Sequence, residues 1–208
     1  MITRDDLEPL SALRELGLLP LVKKVNRYRR CWVVPESFRH FSALANVQDL
    51  VIARLDFYRF TPGVPVENSF GHFSPTLRSI ALSEPRGPPG MLLDLLRLFP
   101  KLDDIVIVGY NGGFEVHNAV FAECAQIRGS LRGKLELDRS LNQPLLEEII
   151  TSFGGMRFTS MDLHNIEGAQ LLLNACAETL ETLCFRPICL LRSGKRFPEE
   201  YGTPSDLT

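Results

Sequence analysis

Leu102-Asp103-Asp104-Ile105-Val106-Ile107 carries the pattern that decides the fold: two large apolar residues stand two positions apart, with another apolar residue three positions before the first. The same pattern recurs in Val47-Gln48-Asp49-Leu50-Val51-Ile52. Side chains two apart lie on the same side of an extended chain, so each copy predicts a short strand with one apolar face. The paired positions are Leu50/Ile52, Ile80/Leu82, Ile105/Ile107, Leu135/Leu137, Met161/Leu163 and Leu183/Phe185.

The spacing of these pairs indicates a repeat. Their first members stand 22 to 30 residues apart, at positions 50, 80, 105, 135, 161 and 183, and a weaker copy, Val22-x-x-Val25, precedes them. Periods of this length are typical of stacked units that each bury an apolar face against the next. We therefore expect about seven irregular strand–helix repeats over residues 1–190, followed by a flexible tail over residues 191–208.

Short helices are predicted between the strands. Pro20, Pro75 and Pro100 each stand five positions before an apolar strand residue, and proline both ends a preceding helix and favours extended backbone before it. Strands that alternate with helices predict an α/β fold with one curved, mostly parallel sheet. The predicted helices are residues 5–16, Glu36–Ala45, Met91–Phe99, Leu145–Phe153 and Ala169–Cys176.

Composition disfavours several classes of protein. The 208 residues carry a formal net charge of −2, which gives no electrostatic reason to expect nucleic acid or an anionic membrane as a partner. No apolar stretch reaches the roughly 18 residues of a membrane helix, and the charged N-terminal residues 1–6 are followed by no signal core.

The cysteines point to a reducing compartment. They are odd in number and include no Cys-x-x-Cys pair, so we expect buried free thiols rather than disulfides or a metal site. The sequence thus predicts a cytoplasmic or nuclear protein with no metal and no cofactor. The five cysteines are Cys31, Cys124, Cys176, Cys184 and Cys189.

No active site is predicted. His117 and Cys124 could form a nucleophile pair, but no third group is placed to activate it. Asp162 and His164 lie two apart on one strand face, where a polar pair is the simpler interpretation than a general base. No Gly-x-Gly-x-x-Gly follows any strand. The chain is therefore not expected to be an enzyme, and a small α/β enzyme of unknown activity is kept as the alternative.

The candidate binding site is the strand face that the apolar pairs leave open. Residues between the buried ones point the other way and line the concave surface on which repeat proteins bind partners. Acidic side chains concentrate at its centre and C-terminal half, so we expect a basic or polar protein segment as the ligand. The predicted partner-binding residues are Asp104, Val106, Lys134, Glu136, Asp138, Asp162, His164 and Arg186.

The strand pattern resembles that of leucine-rich repeats, and longer phrases resemble the leucine-rich-repeat region of fungal (basidiomycete-type) F-box-like proteins. Those phrases are residues 41–50, 70–82, 95–104, 131–137 and 175–183. The resemblance implies a leucine-rich-repeat-like solenoid that acts as the substrate-binding part of a ubiquitin-ligase receptor, with a ubiquitination substrate as its partner.

The sequence departs from that family in two ways. The Asn or Cys that the repeat carries three positions after the strand is replaced, so no polar ladder is expected at the turns. Only about 20 residues precede the first strand, which leaves no room for the recruiting F-box, so a truncated, non-functional paralogue is a further alternative. The replaced positions are Leu55, Pro85, Tyr110, Ser140, Ile166 and Ile188.

Overall fold

Seven short strands form a single parallel sheet whose spatial order follows the chain from β1 to β7. A computed structural model describes residues 11, 14–27, 32–61, 64–111, 131–138, 143–152, 156–164 and 168–186. The strands are β1 (Lys24–Arg27), β2 (Asp49–Ala53), β3 (Ser79–Ser83), β4 (Asp104–Val108), β5 (Lys134–Asp138), β6 (Ser160–His164) and β7 (Thr182–Arg186).

All the predicted apolar pairs lie on strands, and the strands pair in one common register. Leu50 pairs with Ile80, Ile80 with Ile105, and Ile105 with Leu135. The predicted α/β fold with a parallel sheet is therefore confirmed, and the order is that of a repeat-like arrangement. Among the described strands, β1 and β7 are the edges, and the order shows no reversal of the kind that defines a doubly wound sheet.

A repeated set of backbone hydrogen bonds fixes this register where the strands begin. The carbonyl of Lys23 accepts the N–H groups of Gln48 and Asp49 at 2.7 and 3.0 Å, which belong to the next unit. One carbonyl thus holds two successive amides of its neighbour and leaves neither donor unpaired. The same bond pair joins Gln48 to Arg78 and Ser79, Arg78 to Asp103 and Asp104, Gly133 to Thr159 and Ser160, and Thr159 to Glu181 and Thr182.

Within the described residues, short helices occupy much of the connections between strands. Four α-helices are described: α1 (Glu67–Phe70), α2 (Pro89–Arg97), α3 (Gln143–Ser152) and α4 (Ala169–Ala175). Other connections use 3₁₀ helices at Leu19–Leu21, Pro35–Phe41, Phe57–Arg59 and Gly71–Phe73.

Three of the predicted helices are confirmed within a few residues, as α2, α3 and α4. The segment predicted from Glu36 to Ala45 forms a 3₁₀ helix that ends at Phe41. Most of the predicted N-terminal helix, residues 5–16, and the whole predicted tail, residues 191–208, lie outside the described residues, as do His117 and Cys124.

One face of the sheet carries the core. Along β2 to β5 the residues alternate between buried and partly buried, and the buried ones join a single apolar cluster with the helices. Leu92 and Leu96 of α2, Leu146 of α3 and Leu172 of α4 are fully buried in it. At the edge strand β7 the equivalent Leu183 and Phe185 remain 47% and 49% exposed.

A left-handed corner recurs directly after three consecutive strands. Arg54, Glu84 and Gly109 follow β2, β3 and β4 with φ values of 60°, 52° and 71°. The N–H groups of Arg54 and Glu84 donate to the last carbonyls of the next strands, Ser83 and Val108, each at 2.7 Å. Residues other than glycine rarely adopt this backbone conformation, so its repetition shows that successive units make the same tight bend.

The residue that follows each corner is buried, and none of the three is a polar Asn or Cys. Leu55 is fully buried, Pro85 is buried, and Tyr110 is 7% exposed. The Tyr110 hydroxyl donates to the Gly87 carbonyl at 2.7 Å, and burial raises the pKa of this tyrosine above its ordinary value. Apolar packing therefore occupies the places where the leucine-rich-repeat pattern has Asn or Cys.

A buried ion pair joins two of these turns. The Asp56 carboxylate is fully buried and accepts from Arg86 at 2.6 Å and from the Tyr58 N–H at 3.1 Å. The Arg86 guanidinium also stacks 3.9 Å from the centre of the Trp32 ring. A buried carboxylate needs such partners, because an unpaired charge in the interior is costly.

Removing a core side chain should leave a cavity. We expect Ile105→Ala and Leu163→Ala each to lower the free energy of unfolding by about 2–5 kcal/mol, because the residues are 2% and 0% exposed. Urea denaturation measures the loss, and Val51→Ala on the partly buried face is the control, with a much smaller change. Equal effects at the three positions would contradict the assignment of faces.

Breaking the Asp56 pair should also destabilise the fold. Asp56→Ala leaves the Arg86 guanidinium without its carboxylate, and loss of one partner of a buried pair costs about 3 kcal/mol or more. Asp94→Ala is the matched control, because Asp94 pairs with Arg97 at 3.2 Å but its side chain is 59% exposed. We expect a change below about 1 kcal/mol for that control. Similar unfolding midpoints for the two variants would refute the prediction.

Candidate functional site

The open face of the sheet is built from three rows of side chains that cross the strands. Parallel pairing in one register aligns equivalent positions of successive strands, so each row holds one residue from each strand that it crosses. On β2 to β5 these residues are partly buried, in contrast to their fully buried neighbours. The middle row reads Asn26, Val51, Ala81, Val106, Glu136, Asp162 and Cys184.

The face divides into two parts. One part carries small, mostly apolar side chains, and the other carries charged side chains. On β2 to β4 the middle row presents Val51, Ala81 and Val106. The row nearest the C-terminal ends of these strands adds Ala53, Ser83 and Val108.

The charged part lies on β5 to β7 and consists of Lys134, Glu136, Asp162, His164 and Arg186, which we call the charged cluster. The Lys134 ammonium lies 2.6 Å from a Glu136 oxygen and 4.0 Å from an Asp162 oxygen. Arg186 donates to the same Asp162 oxygen at 3.1 Å. Two basic side chains thus accompany the two carboxylates, so the centre of the predicted acidic strip is largely charge-balanced.

These contacts shift the pKa values of both basic groups. The pKa of Lys134 is raised, chiefly by its hydrogen bond to Glu136. The pKa of Arg186 is raised by its hydrogen bond with Cys184 and by the charge of Asp162. Both side chains are therefore held in the cationic form.

Two other predicted site residues hold backbone amides. An Asp104 oxygen accepts the N–H of Lys134 at 2.6 Å, and an Asp138 oxygen accepts the N–H of Gly109 at 2.6 Å. At the β4–β5 junction these carboxylates accept amides that backbone carbonyls accept at neighbouring junctions. Asp104 and Asp138 therefore contribute to the register of the sheet.

A second close contact in the charged cluster joins Asp162 to His164. Asp162 Oδ1 lies 2.9 Å from His164 Nε2, and both atoms are shut off from solvent. Neither atom has a hydrogen-bond partner among the described residues. The residue Asp162 as a whole is only 8% exposed. The sequence identified both residues, but their convergence with Glu136 depends on the β5–β6 register.

The eight residues predicted from sequence thus have different surroundings. Five form the charged cluster, two bind backbone amides, and Val106 lies in the apolar part of the same face.

A groove separate from the open face lies at the edge where β5, β6 and β7 begin. It is a shallow groove of about 420 Å³ that brings two arginines and two glutamates together, so its charge favours no single class of ligand. Sequence reasoning missed it, because its residues belong to the turns before three different strands. The lining residues are Arg132, Arg157, Thr159, Glu178, Thr179, Leu180 and Glu181.

Comparison with protein-family models, with curated proteins and with solved structures found no match to this chain. Within the described residues, no helix has the length and apolar character needed to span a bilayer.

Burial changes the pKa of His72, a histidine outside the open face. The His72 ring packs 3.9 Å from the Phe73 ring centre, and its Nε2 atom is buried. Burial lowers the pKa of His72 to about 4 from its ordinary 6.5, so the ring is neutral at neutral pH. The neutral His72 ring therefore packs against Phe73 as an uncharged side chain.

The His72 shift predicts acid sensitivity. Because the unfolded chain binds this proton near pH 6.5 and the folded chain only near pH 4, its contribution to stability is complete above pH 6.5 and falls as the pH drops toward 4. His72→Phe should therefore lose less stability between pH 7 and pH 5 than the wild type. Urea midpoints at the two pH values measure this, with the exposed His40→Asn as control. Identical losses in wild type and His72→Phe would refute the assignment.

Proposed function

We propose that the protein is a non-enzymatic recognition module that binds a segment of a partner protein on the open face of its sheet. The observation that carries the proposal is the alternation along the strands, which buries one face under helices and leaves the other in register, with small apolar side chains beside a charged cluster. Small apolar groups flanked by charge are typical of a docking surface.

The dimensions of the face favour a short segment. At about 4.8 Å between strands, a row across seven strands is about 29 Å long. An extended peptide rises about 3.3 Å per residue, so about nine residues would cross the whole sheet. The three rows together are only about 13 Å wide. A single extended or helical segment therefore suits this face better than the broad surface of a folded domain.

The chemistry of the face suggests which segment binds. Val51, Ala81 and Val106 would accept apolar side chains, while the charged cluster offers both signs of charge to polar groups at one end of the segment. This refines the expectation of a basic or polar segment, because Lys134 and Arg186 already balance Glu136 and Asp162.

The architecture that we propose is a leucine-rich-repeat-like solenoid. Sequential parallel order and helices packed on one face support it, since helices are wider than strands and bend such a sheet toward its open side. The recurrent left-handed corner supports it as well. Buried Leu55, Pro85 and Tyr110 would make these repeats irregular ones, with turns held by packing.

By its resemblance to fungal F-box-like proteins, the chain would act as the substrate-reading part of a ubiquitin-ligase receptor in the cytoplasm or nucleus. Its partner would then be a ubiquitination substrate. The described residues contribute the reading surface, and recruitment of a ligase would need a separate module.

Affinity purification with mass spectrometry tests the proposed face. Val106→Arg places a long charged side chain at the centre of the apolar part, so partners held by the wild type should be lost. Glu67→Lys is the matched control, because Glu67 is an exposed residue of α1, on the helical side. We expect that control to retain the partners, and circular dichroism should show both variants folded.

If the folded Val106→Arg variant captures the same proteins as the wild type, the open face is not the binding surface. Loss of the partners in Glu67→Lys alone would move the interface to the helical side.

A further inference from the structure

Three potential metal-ligand atoms converge from two neighbouring strands. Glu136 on β5 pairs in register with Asp162 on β6, and His164 follows Asp162 by two residues on the same face. One carboxylate oxygen from each acid and one imidazole nitrogen all lie within 4.8 Å of one another. A carboxylate pair with an imidazole is a donor set that divalent first-row transition metals accept.

Two of these atoms are buried without a hydrogen-bond partner, which suggests that a ligand binds between them. Asp162 Oδ1 and His164 Nε2 are buried and 2.9 Å apart, yet neither has a hydrogen-bond partner among the described residues. At that distance a hydrogen bond needs only an N–H on the ring nitrogen that points at the oxygen, and no such bond is formed. Buried polar atoms that lack a partner call for one.

A shared ion accounts for both the distance and the missing bond. Ligand atoms about 2.1 Å from one metal stand about 3 Å apart when they occupy neighbouring positions of an octahedral shell, about a right angle apart. In that arrangement the nitrogen lone pair points at the ion and not at the neighbouring oxygen. The 2.9 Å separation of Asp162 Oδ1 and His164 Nε2 matches this geometry.

We propose that Glu136, Asp162 and His164 form a binding site for a divalent first-row transition-metal ion. Asp162 would coordinate through Oδ1, because its other oxygen is held by Arg186 at 3.1 Å. Such an outer contact orients a ligating carboxylate. Solvent would complete the coordination shell on the open face.

The Lys134 ammonium would compete with a metal ion for the two carboxylates. Its ammonium lies 2.6 Å from Glu136 and 4.0 Å from Asp162, where it supplies the positive charge that a metal would otherwise bring. Its side chain is 44% exposed, so it can swing into solvent when a metal binds. Metal affinity should therefore rise when this ammonium is removed.

Titration of the full-length chain with Co²⁺ tests the site, because protein-bound Co²⁺ absorbs visible light according to its ligands. After treatment with a chelator, the wild type should bind one Co²⁺ per chain, and Zn²⁺ should displace it. Glu136→Gln and His164→Gln should each raise the dissociation constant at least tenfold. Asp49→Asn, on the same face of β2, should leave it unchanged, and Lys134→Met should lower it.

The tighter binding of Lys134→Met is the decisive arm, since damage to the fold would weaken binding and not strengthen it. Circular dichroism checks that every variant is folded. Absence of Co²⁺ binding at millimolar concentration would overturn the proposal, as would equal affinity in the wild type, Glu136→Gln and His164→Gln. A strong thiolate charge-transfer band would place the metal on cysteine and would overturn it too.

Discussion

The in-register pairing of seven short parallel strands is the constraint on which every other feature of this protein depends. Each strand is only four or five residues long and could not persist alone. At most junctions one carbonyl before the strand accepts two amides of the next unit, and the apolar side chains of each strand pack in one cluster with those of its neighbours. A slip of one residue would turn those side chains from the helical face to the open face.

The same register creates the candidate site. Residues of β5, β6 and β7 that are 22 to 26 positions apart in sequence are brought side by side, so that Glu136 meets Asp162 and His164 meets Arg186. The proposed recognition face and the proposed metal site thus both result from one alignment of the strands. They also share residues, and a metal bound at Asp162 would change the charge that a partner segment meets at that end of the face.

The strands, their order and the identity of the open face could be predicted from two periods in the sequence. Apolar residues two positions apart show which side chains of a strand share a face, and the spacing of 22 to 30 residues between pairs shows that the strands repeat in chain order. The connections could not be predicted equally well. The segment after Pro35 has helical spacing of Phe38 and Phe41, but a 3₁₀ helix uses nearly the same spacing over a shorter run. Local propensity does not separate the two.

The contacts within the site were also beyond sequence reasoning. A count of charges gives an acidic strip, whereas the structure pairs Glu136 with Lys134 and assigns Asp104 and Asp138 to backbone amides. Which partner a carboxylate takes depends on side-chain geometry at distances of a few ångströms. The burial that leaves Asp162 Oδ1 without a partner depends in turn on the packing of β5 and β7 on either side of it.

Backbone amide NOEs measured by NMR on the isotopically labelled chain test the central claim most directly. Interstrand contacts should link Val51 to Ala81, Ala81 to Val106 and Glu136 to Asp162, all in parallel register. Contacts between strands that are not sequential neighbours, or a register shifted by one residue, would contradict that claim.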